Sequence, residues 1–157
     1  MKRLIAALLF VNAVPAHADD ALVPYPDNYR MWQHVKSMVI QPGHALFDAF
    51  GGIHHIYANL PAVAGYAKGK FPEGSVIVFD LLAVTTDGNA IAEGERKVVG
   101  VMHKDSKKFK TTGGWGYEGF AGNSRDQRAV GKNAESACHS CHTPQKDHDF
   151  VFSRARD

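Results

Sequence analysis

The pentapeptide Cys138-His139-Ser140-Cys141-His142 is the segment of the chain whose residue types and spacing point most directly to chemistry. Cys-x-x-Cys-His is the pattern through which haem is covalently attached in c-type cytochromes. The two thiols can each add to one vinyl group of the porphyrin, and the histidine that follows can then supply a nitrogen to the iron. The segment therefore predicts one haem c, covalently bound through Cys138 and Cys141, with His142 as the metal ligand.

The residues alone leave two other uses of the paired cysteines open. A closed zinc site needs two further ligands, and the chain has no second Cys-x-x-Cys or His-x-x-x-His pair, although His139 and His142 lie nearby. A thioredoxin-like redox couple usually belongs to a βαβ unit, whereas this pair lies near the C-terminus without that pattern. Both cysteines of the chain are in this motif, so none is left for a structural disulfide.

The first 18 residues have the layout of a secretory signal peptide. A basic start precedes an apolar run from Leu4 to Val14 and a small-x-small sequence at residues 16–18. That run is about half as long as a bilayer-spanning helix, and we expect no membrane span elsewhere. We predict cleavage after Ala18 and export, which in a bacterium means a periplasmic protein. Residues 19–157 are then expected to form a single haem domain.

Removal of the signal peptide makes the chain electrically neutral. Two of the 18 basic residues leave with it, so that 16 remain against 16 acidic residues and the formal net charge falls from +2 to 0. A neutral chain gives no reason to expect a nucleic-acid partner. Lysines 104, 107, 108 and 110 form a local cluster that is typical of a solvated loop, with docking of an acidic redox partner protein as the alternative.

The spacing of apolar residues predicts an α+β fold that is mainly β. We expect helices over Tyr29–Val39, with Asp27 as the N-cap, over Ala62–Lys68, and over Ala134–His142. Strands are expected over 53–58, 75–84, 96–103 and 115–120, with a hairpin turn at 86–89 and a last strand or extended tail at 150–152. There are too few helical stretches for a bundle. We therefore expect an antiparallel sheet with a few short helices and the haem packed on one sheet face near the C-terminal motif.

Several motifs, in this order, make the chain resemble cytochrome P-460 and its relative cytochrome c′-β. They are Asn28-Tyr29-Arg30-x-Trp32, Phe71-x-x-Gly74-x-Val76-x-Val78, Lys104-Asp105-Ser106-Lys107-x-Phe109, Trp115, Cys138-x-x-Cys141-His142 and Asp149-x-Val151-Phe152. The resemblance spans nearly the whole mature chain. It implies a predominantly β haem domain, usually a homodimer, with a five-coordinate iron whose proximal ligand is His142.

Two positions suggest which branch of that family the chain is closer to. Cytochrome P-460 oxidises hydroxylamine, and its haem is also bonded to a lysine in a Gly-x-Val-x-Val-Lys-Glu-Leu strand. The matching strand here, residues 74–81, has Phe79 at the lysine position. The family's distal glutamate falls on Gly100 when it is counted back from Lys104. Neither residue can take a proton from N–OH, so no catalytic residue is assigned and the resemblance is closer to cytochrome c′-β.

An apolar distal face favours small uncharged ligands, because a phenyl ring above the iron offers no hydrogen-bond donor and little room for bound O₂. Pairs of phenylalanines cap the distal face in cytochrome c′-β. Phe79 is our first candidate for such a cap, Phe50 the second and Phe47 a fallback, with core packing as the alternative for each. Arg30 is a candidate partner for a haem propionate, with a surface ion pair as the alternative.

Two further side chains are candidates for positions near the haem. His54-His55 could place one imidazole there, because neighbouring residues of a strand face opposite ways; a satisfied or surface histidine is the alternative. Met102 shares a strand face with Gly100 and could be a sixth iron ligand, which would close the site to gases. Filling of the core is the alternative for that methionine.

The sequence thus predicts a gas-binding haem protein that captures or senses nitric oxide, with carbon monoxide as a second ligand. Two alternatives stay open: a haem oxidoreductase acting on hydroxylamine or peroxide, and a simple electron-transfer cytochrome. Whether the protein is an enzyme is therefore left open.

Overall fold

Five β-strands form a single antiparallel sheet in a computed structural model that describes residues 23–156. The strands are paired in chain order and are β1 (Gln33–Ile40), β2 (Gly52–Ala58), β3 (Val76–Asp87), β4 (Ala90–Lys104) and β5 (Trp115–Ala121). The predicted α+β, mainly β fold is confirmed, as is the hairpin turn between β3 and β4. The predicted signal peptide and its cleavage after Ala18 lie outside the described residues, and the single-domain boundary stays a prediction.

The helices are short and lie between or after the strands. They are α1 (Phe47–Phe50), α2 (Leu60–Lys68), a π-helical turn (Glu135–His139) that continues into α3 (Ser140–His142), and 3-10 turns at Tyr29–Met31, Lys110–Thr112, Gly131–Asn133 and Thr143–His148. The predicted helices over 62–68 and 134–142 are thus confirmed. Within residues 23–156, none of the helices has the length and apolar character needed to cross a membrane.

The helix predicted over Tyr29–Val39 is wrong, because most of that segment is strand β1. Only Tyr29–Met31 turns, as a 3-10 helix, and Asp27 is not its cap. β1 pairs with β2, and a β-bulge between His34 and Lys36 shifts the side-chain alternation by one residue. Such a bulge converts a period of two into irregular spacing, which here imitates the spacing of a helix.

The two faces of the sheet carry separate apolar clusters. Side chains alternate along β3, so that Ile77 and Phe79 lie on one face, here named the front face, and Val78 and Asp80 lie on the opposite back face. The front cluster includes the following buried residues: Val35, Ile56, Ala58, Ala62, Phe71, Ile77, Trp115, Tyr117 and Val151. The back cluster contains Val23, Tyr29, Val78, Val99, Val101 and Phe120. The first part of β3 is therefore buried on both sides.

The C-terminal segment covers part of the front face. Cys138 and Phe150 pack against the front cluster, and Val151 is buried within it. Residues 151–156 form no strand, so of the two predicted forms the extended tail is the one found. The front face is consequently the face against which the Cys-x-x-Cys-His segment is held.

Candidate functional site

The Cys-x-x-Cys-His segment is helical throughout. Cys138 lies in the π-helical turn, and Cys141 and His142 lie in α3. Residues three apart on a helix are neighbours on its surface, so the two thiols lie on one side. Both cysteines are free; Cys138 is half-buried, Cys141 is exposed, and burial raises the pKa of the Cys138 thiol. Two free thiols are therefore placed together beside the front face.

His142 is held in one orientation by its ring nitrogen. Its Nδ1 lies 2.7 Å from the backbone carbonyl oxygen of Phe150. A carbonyl oxygen can only accept, so Nδ1 carries the hydrogen and donates it. Burial lowers the pKa of the His142 ring, which favours the neutral form, although the bond to Phe150 opposes this shift. A neutral ring with its hydrogen on Nδ1 has its lone pair on Nε2, which is the form that binds a metal ion.

The turn that presents this carbonyl has an unusual backbone. Asp149 and Phe150 are both left-handed, with φ of 53° and 64°, which costs roughly 1–2 kcal/mol for each non-glycine residue. Lys104 donates from Nζ to Oδ1 of Asp149 at 2.7 Å, and the backbone N–H of Phe71 donates to Oδ2 at 2.9 Å. The carboxylate therefore fixes the turn that receives the hydrogen bond of His142.

Aromatic rings pack around that histidine and its neighbour. The ring of His142 lies 5.1 Å from that of Tyr117 and 4.9 Å from that of Phe152, measured between ring centroids. The ring of His139 lies 4.9 Å from that of Phe150. These contacts surround the ring of His142 with aromatic side chains.

Phe79 and Phe50 lie together on the front face. Their ring centroids are 5.6 Å apart and the rings are nearly perpendicular, at 80°, which is a favourable arrangement of two aromatic rings. Phe79 is half-buried on β3, and Phe50, at the end of α1, is 38% exposed. Phe47, the fallback candidate, packs over Gly51 instead. The two first candidates for the distal cap are thus brought into contact.

Gly100 lies directly opposite Phe79 across the β3–β4 pair. A Cβ atom at position 100 would lie 3.4 Å from the Cβ of Phe79, so any side chain there would touch the phenylalanine. The two positions at which the resemblance implies a lysine and a glutamate are therefore neighbours on the front face. Neither Phe79 nor Gly100 carries a titratable group. The phenyl ring of Phe79 lies in the space that a side chain at position 100 would enter.

The two adjacent histidines face opposite sides, as expected. His55 lies on the back face, with Nδ1 2.6 Å from Oγ of Ser37 and Nε2 2.7 Å from Oε1 of Glu93. His54 lies on the front face and is only 7% exposed, and its ring centroid is 4.5 Å from that of Phe79. Burial, with a smaller contribution from His55, lowers the pKa of His54 to about 4.

The structure does not bring Arg30 to the Cys-x-x-Cys-His segment. Its guanidinium lies on the back face, where Nε donates to Oδ2 of the fully buried Asp80 at 2.9 Å; Arg96 donates to the other carboxylate oxygen at 2.7 Å. The ion-pair alternative thus describes the observed contact, and a role at a haem propionate stays a prediction. Met102 is half-buried on the front face and packs against the core cluster.

The residues around the motif fit a covalently attached haem. They offer two free thiols on one side of a helical turn, a neutral imidazole whose Nε2 has its lone pair, and an apolar sheet face opposite. Sequence reasoning missed the Phe150 carbonyl and gave no role to Asp149. It placed Lys104 in a solvated lysine cluster, which is wrong for this residue, because Lys104 is only 7% exposed at the end of β4 and pairs with Asp149. The two side chains could have been noticed within the motifs that carry the resemblance, but a backbone carbonyl leaves no trace in the residue types.

The chain matches the model of a known protein family. The model of a family described as Cytochrome P460 matches residues 26–153, which is most of the chain. No curated protein matches the chain.

Proposed function

Because the chain belongs to the cytochrome P460 family, which implies a haem c cytochrome, we propose that it is a periplasmic mono-haem protein that binds nitric oxide and carbon monoxide. When bound, the haem would supply the iron to which a diatomic gas binds. In this proposal Cys138 and Cys141 hold the haem through thioethers. His142 binds the iron through Nε2, because its Nδ1 is already engaged by Phe150.

The observation that carries the proposal is the Phe50–Phe79 pair beside Gly100. Hydroxylamine oxidation needs a base within reach of the N–OH group, and neither Phe79 nor Gly100 supplies one. A surface of phenyl rings excludes water and has little affinity for anions, because an ion loses its hydration there without gaining a partner. Nitric oxide and carbon monoxide are uncharged and small, so they lose little by entering such a site. Capture and detoxification of nitric oxide is the role that this chemistry favours.

One observation supports an alternative function, that of an oxidoreductase acting on hydroxylamine or peroxide. The imidazole of His54 contacts Phe79 on the front face, and imidazole is the side chain most often used to move protons in catalysis. Turnover of hydroxylamine or peroxide by the wild-type holoprotein, and its loss on substitution of His54, would favour this alternative over simple gas binding.

A second copy of the chain is also part of the proposal. Strand β1 is an edge of the sheet, and Met38 and Val39 on it are exposed. Exposed apolar residues on an edge strand are unfavourable in water, and pairing with a partner subunit would cover them. The homodimer that the family resemblance implies is consistent with this surface.

Replacement of Phe79 by alanine tests the cap. We expect Phe79→Ala to speed association of carbon monoxide with the reduced holoprotein by about tenfold, equivalent to about 1.4 kcal/mol of barrier, because the ring no longer blocks the iron. Flash photolysis measures the rate. Phe109→Ala is the matched control, since Phe109 is also half-buried but packs against the back cluster.

Two results would contradict the role of Phe79 as a cap. Equal association rates in Phe79→Ala and the wild type would show that Phe79 is a packing residue only. A similar acceleration in Phe109→Ala would mean that loosening of the whole domain, and not removal of a cap, controls the rate.

A further inference from the structure

His54 is placed on the same face as the proposed gas site by strand register alone. It pairs with Leu81 across β2 and β3, and Ile56, two residues further along, pairs with Phe79. Residues two apart in a strand share a face. His54 therefore lies diagonally next to Phe79, and the contact between their rings (4.5 Å between centroids, 33° between planes) follows from this register.

One ring nitrogen of His54 has no partner in the described part of the chain. Its Nδ1 is buried and has no hydrogen-bond partner among residues 23–156. A buried polar group without a partner costs about 1–3 kcal/mol, and such groups are rare enough in native proteins that each requires an explanation. The neighbouring His55 differs only in part: its Nδ1 lies 2.6 Å from Oγ of Ser37, whereas its Nε2 lies 2.7 Å from Oε1 of Glu93 as an ion-pair contact without hydrogen-bond geometry.

Ordinary packing does not explain this choice of residue. The position is apolar on the side of Phe79, and a leucine or phenylalanine would fill it without leaving a buried nitrogen unpaired. A partner that arrives with the ligand would explain it: the terminal oxygen of a diatomic gas is a weak acceptor, and a neutral imidazole has one N–H to offer.

We infer that His54 is a ligand-binding residue of the gas pocket. Its imidazole donates a hydrogen bond to the terminal oxygen of a diatomic ligand bound beneath Phe79. The inference rests on the proposed function and refines it: the pocket is apolar except for one uncharged donor. Because the ring is neutral at pH 7, it does not attract anions, so the preference for uncharged gases is kept. Its N–H instead favours ligands that end in oxygen over apolar molecules of the same size.

The infrared stretching band of carbon monoxide bound to the reduced holoprotein tests this contact. A hydrogen bond to the oxygen polarises carbon monoxide and lowers its stretching frequency. We expect His54→Leu to move the band to higher frequency by more than its own width. His54→Gln, which keeps an N–H donor, should leave the band near its wild-type position. His55→Leu is the matched control on the back face and should not move it.

The outcomes separate this inference from the function on which it rests. If the wild type forms no carbon monoxide adduct, the proposed gas site is wrong and the role of His54 falls with it. If adducts form in all variants and the His54→Leu band coincides with that of the wild type, the gas site stands and His54 is a packing residue. If His54→Leu does not fold, the wild type is measured in H₂O and in D₂O. A carbon monoxide band with the same frequency in both solvents then overturns the inference, because exchange of the donated hydrogen for deuterium should shift it.

Discussion

His142 is oriented by atoms that lie outside its own motif. Its Nδ1 donates to the Phe150 carbonyl, and that carbonyl is presented by a turn whose two left-handed residues are fixed by the Asp149 carboxylate. Lys104, from the end of β4, is the cation that holds this carboxylate. A hydrogen bond at Nδ1 sets both the ring orientation and the basicity of the nitrogen that binds the metal. Asp149 is therefore a positioning residue for His142, the proposed proximal ligand.

Loss of the Asp149 charge should weaken this arrangement. We expect Asp149→Asn to lower the free energy of unfolding by about 3 kcal/mol, because it leaves the buried ammonium of Lys104 without its counter-charge. The iron–histidine stretching band of the reduced holoprotein should shift as the bond to Phe150 loosens. Urea unfolding and resonance Raman spectroscopy measure the two effects.

Asp147→Asn is the matched control, because Asp147 is exposed and lies two residues away on the same segment. A stability loss without any movement of the iron–histidine band would assign Asp149 to folding alone. If Asp149→Asn and Asp147→Asn showed the same stability and the same iron–histidine band, Asp149 would have neither role.

The side chains of the candidate site could be predicted from the sequence to a considerable degree. Cys138, Cys141 and His142 form a motif with local spacing, so no tertiary information was needed to single them out. Phe79 and Gly100 came from the resemblance, and the register of β3 and β4 now makes them direct neighbours. The choice between His54 and His55 could not be made, because it depends on which strand face is covered, and that is a property of the packed sheet.

At the scale of elements, strands β2 to β5 were easier to predict than β1, for which the sequence predicted a helix. Strands β2 to β5 show continuous β-rich runs between Gly and Pro turns, and the helix α2 begins at a capping asparagine. The prediction for β1 failed because its bulge breaks the alternation of buried residues. Pairing with β2 overrides the local preference of this segment for a helix. A bulge is invisible in a single sequence, since it is set by the partner strand.

Asn59 connects helix α2 and strand β3, and its replacement should destabilise the start of each. Its Oδ1 accepts from the backbone N–H groups of Ala62, at the start of α2, and Val76, at the start of β3. We expect Asn59→Ala to cost about 2 kcal/mol, at the upper end of the range for helix caps, because the second bond is lost as well. Thermal or urea unfolding of the holoprotein measures this loss.

Asn133→Ala provides a comparison, since Asn133 is exposed and precedes the haem motif without being a side-chain cap. A loss below about 0.5 kcal/mol in Asn59→Ala, as for an ordinary surface substitution, would contradict the role given to Asn59 as a link between α2 and β3.

At the scale of the whole molecule, one sheet separates two different environments. The back face is closed by its own apolar cluster and by the buried Asp80 with its two arginines. The front face carries the Phe50–Phe79 pair, His54 and the C-terminal segment with the Cys-x-x-Cys-His motif. All features that bear on haem and gas binding are thus gathered on one side, although they come from residues 50 to 150 of the chain.

The proposed function requires an iron with one protein ligand and one open position. In the proposal His142 takes the first position, and Phe50, Phe79 and His54 lie on the sheet face against which its motif is held. An electron-transfer cytochrome would gain from a second strong axial ligand, such as Met102 or His54, whereas a gas-binding protein requires that none is bound.

The absorption spectrum of the reduced holoprotein, recorded before and after addition of nitric oxide, tests the central claim most directly. The account predicts a five-coordinate, high-spin spectrum that changes on binding of nitric oxide. A six-coordinate, low-spin spectrum that nitric oxide leaves unchanged would contradict it, because the open position would then be filled by the protein itself.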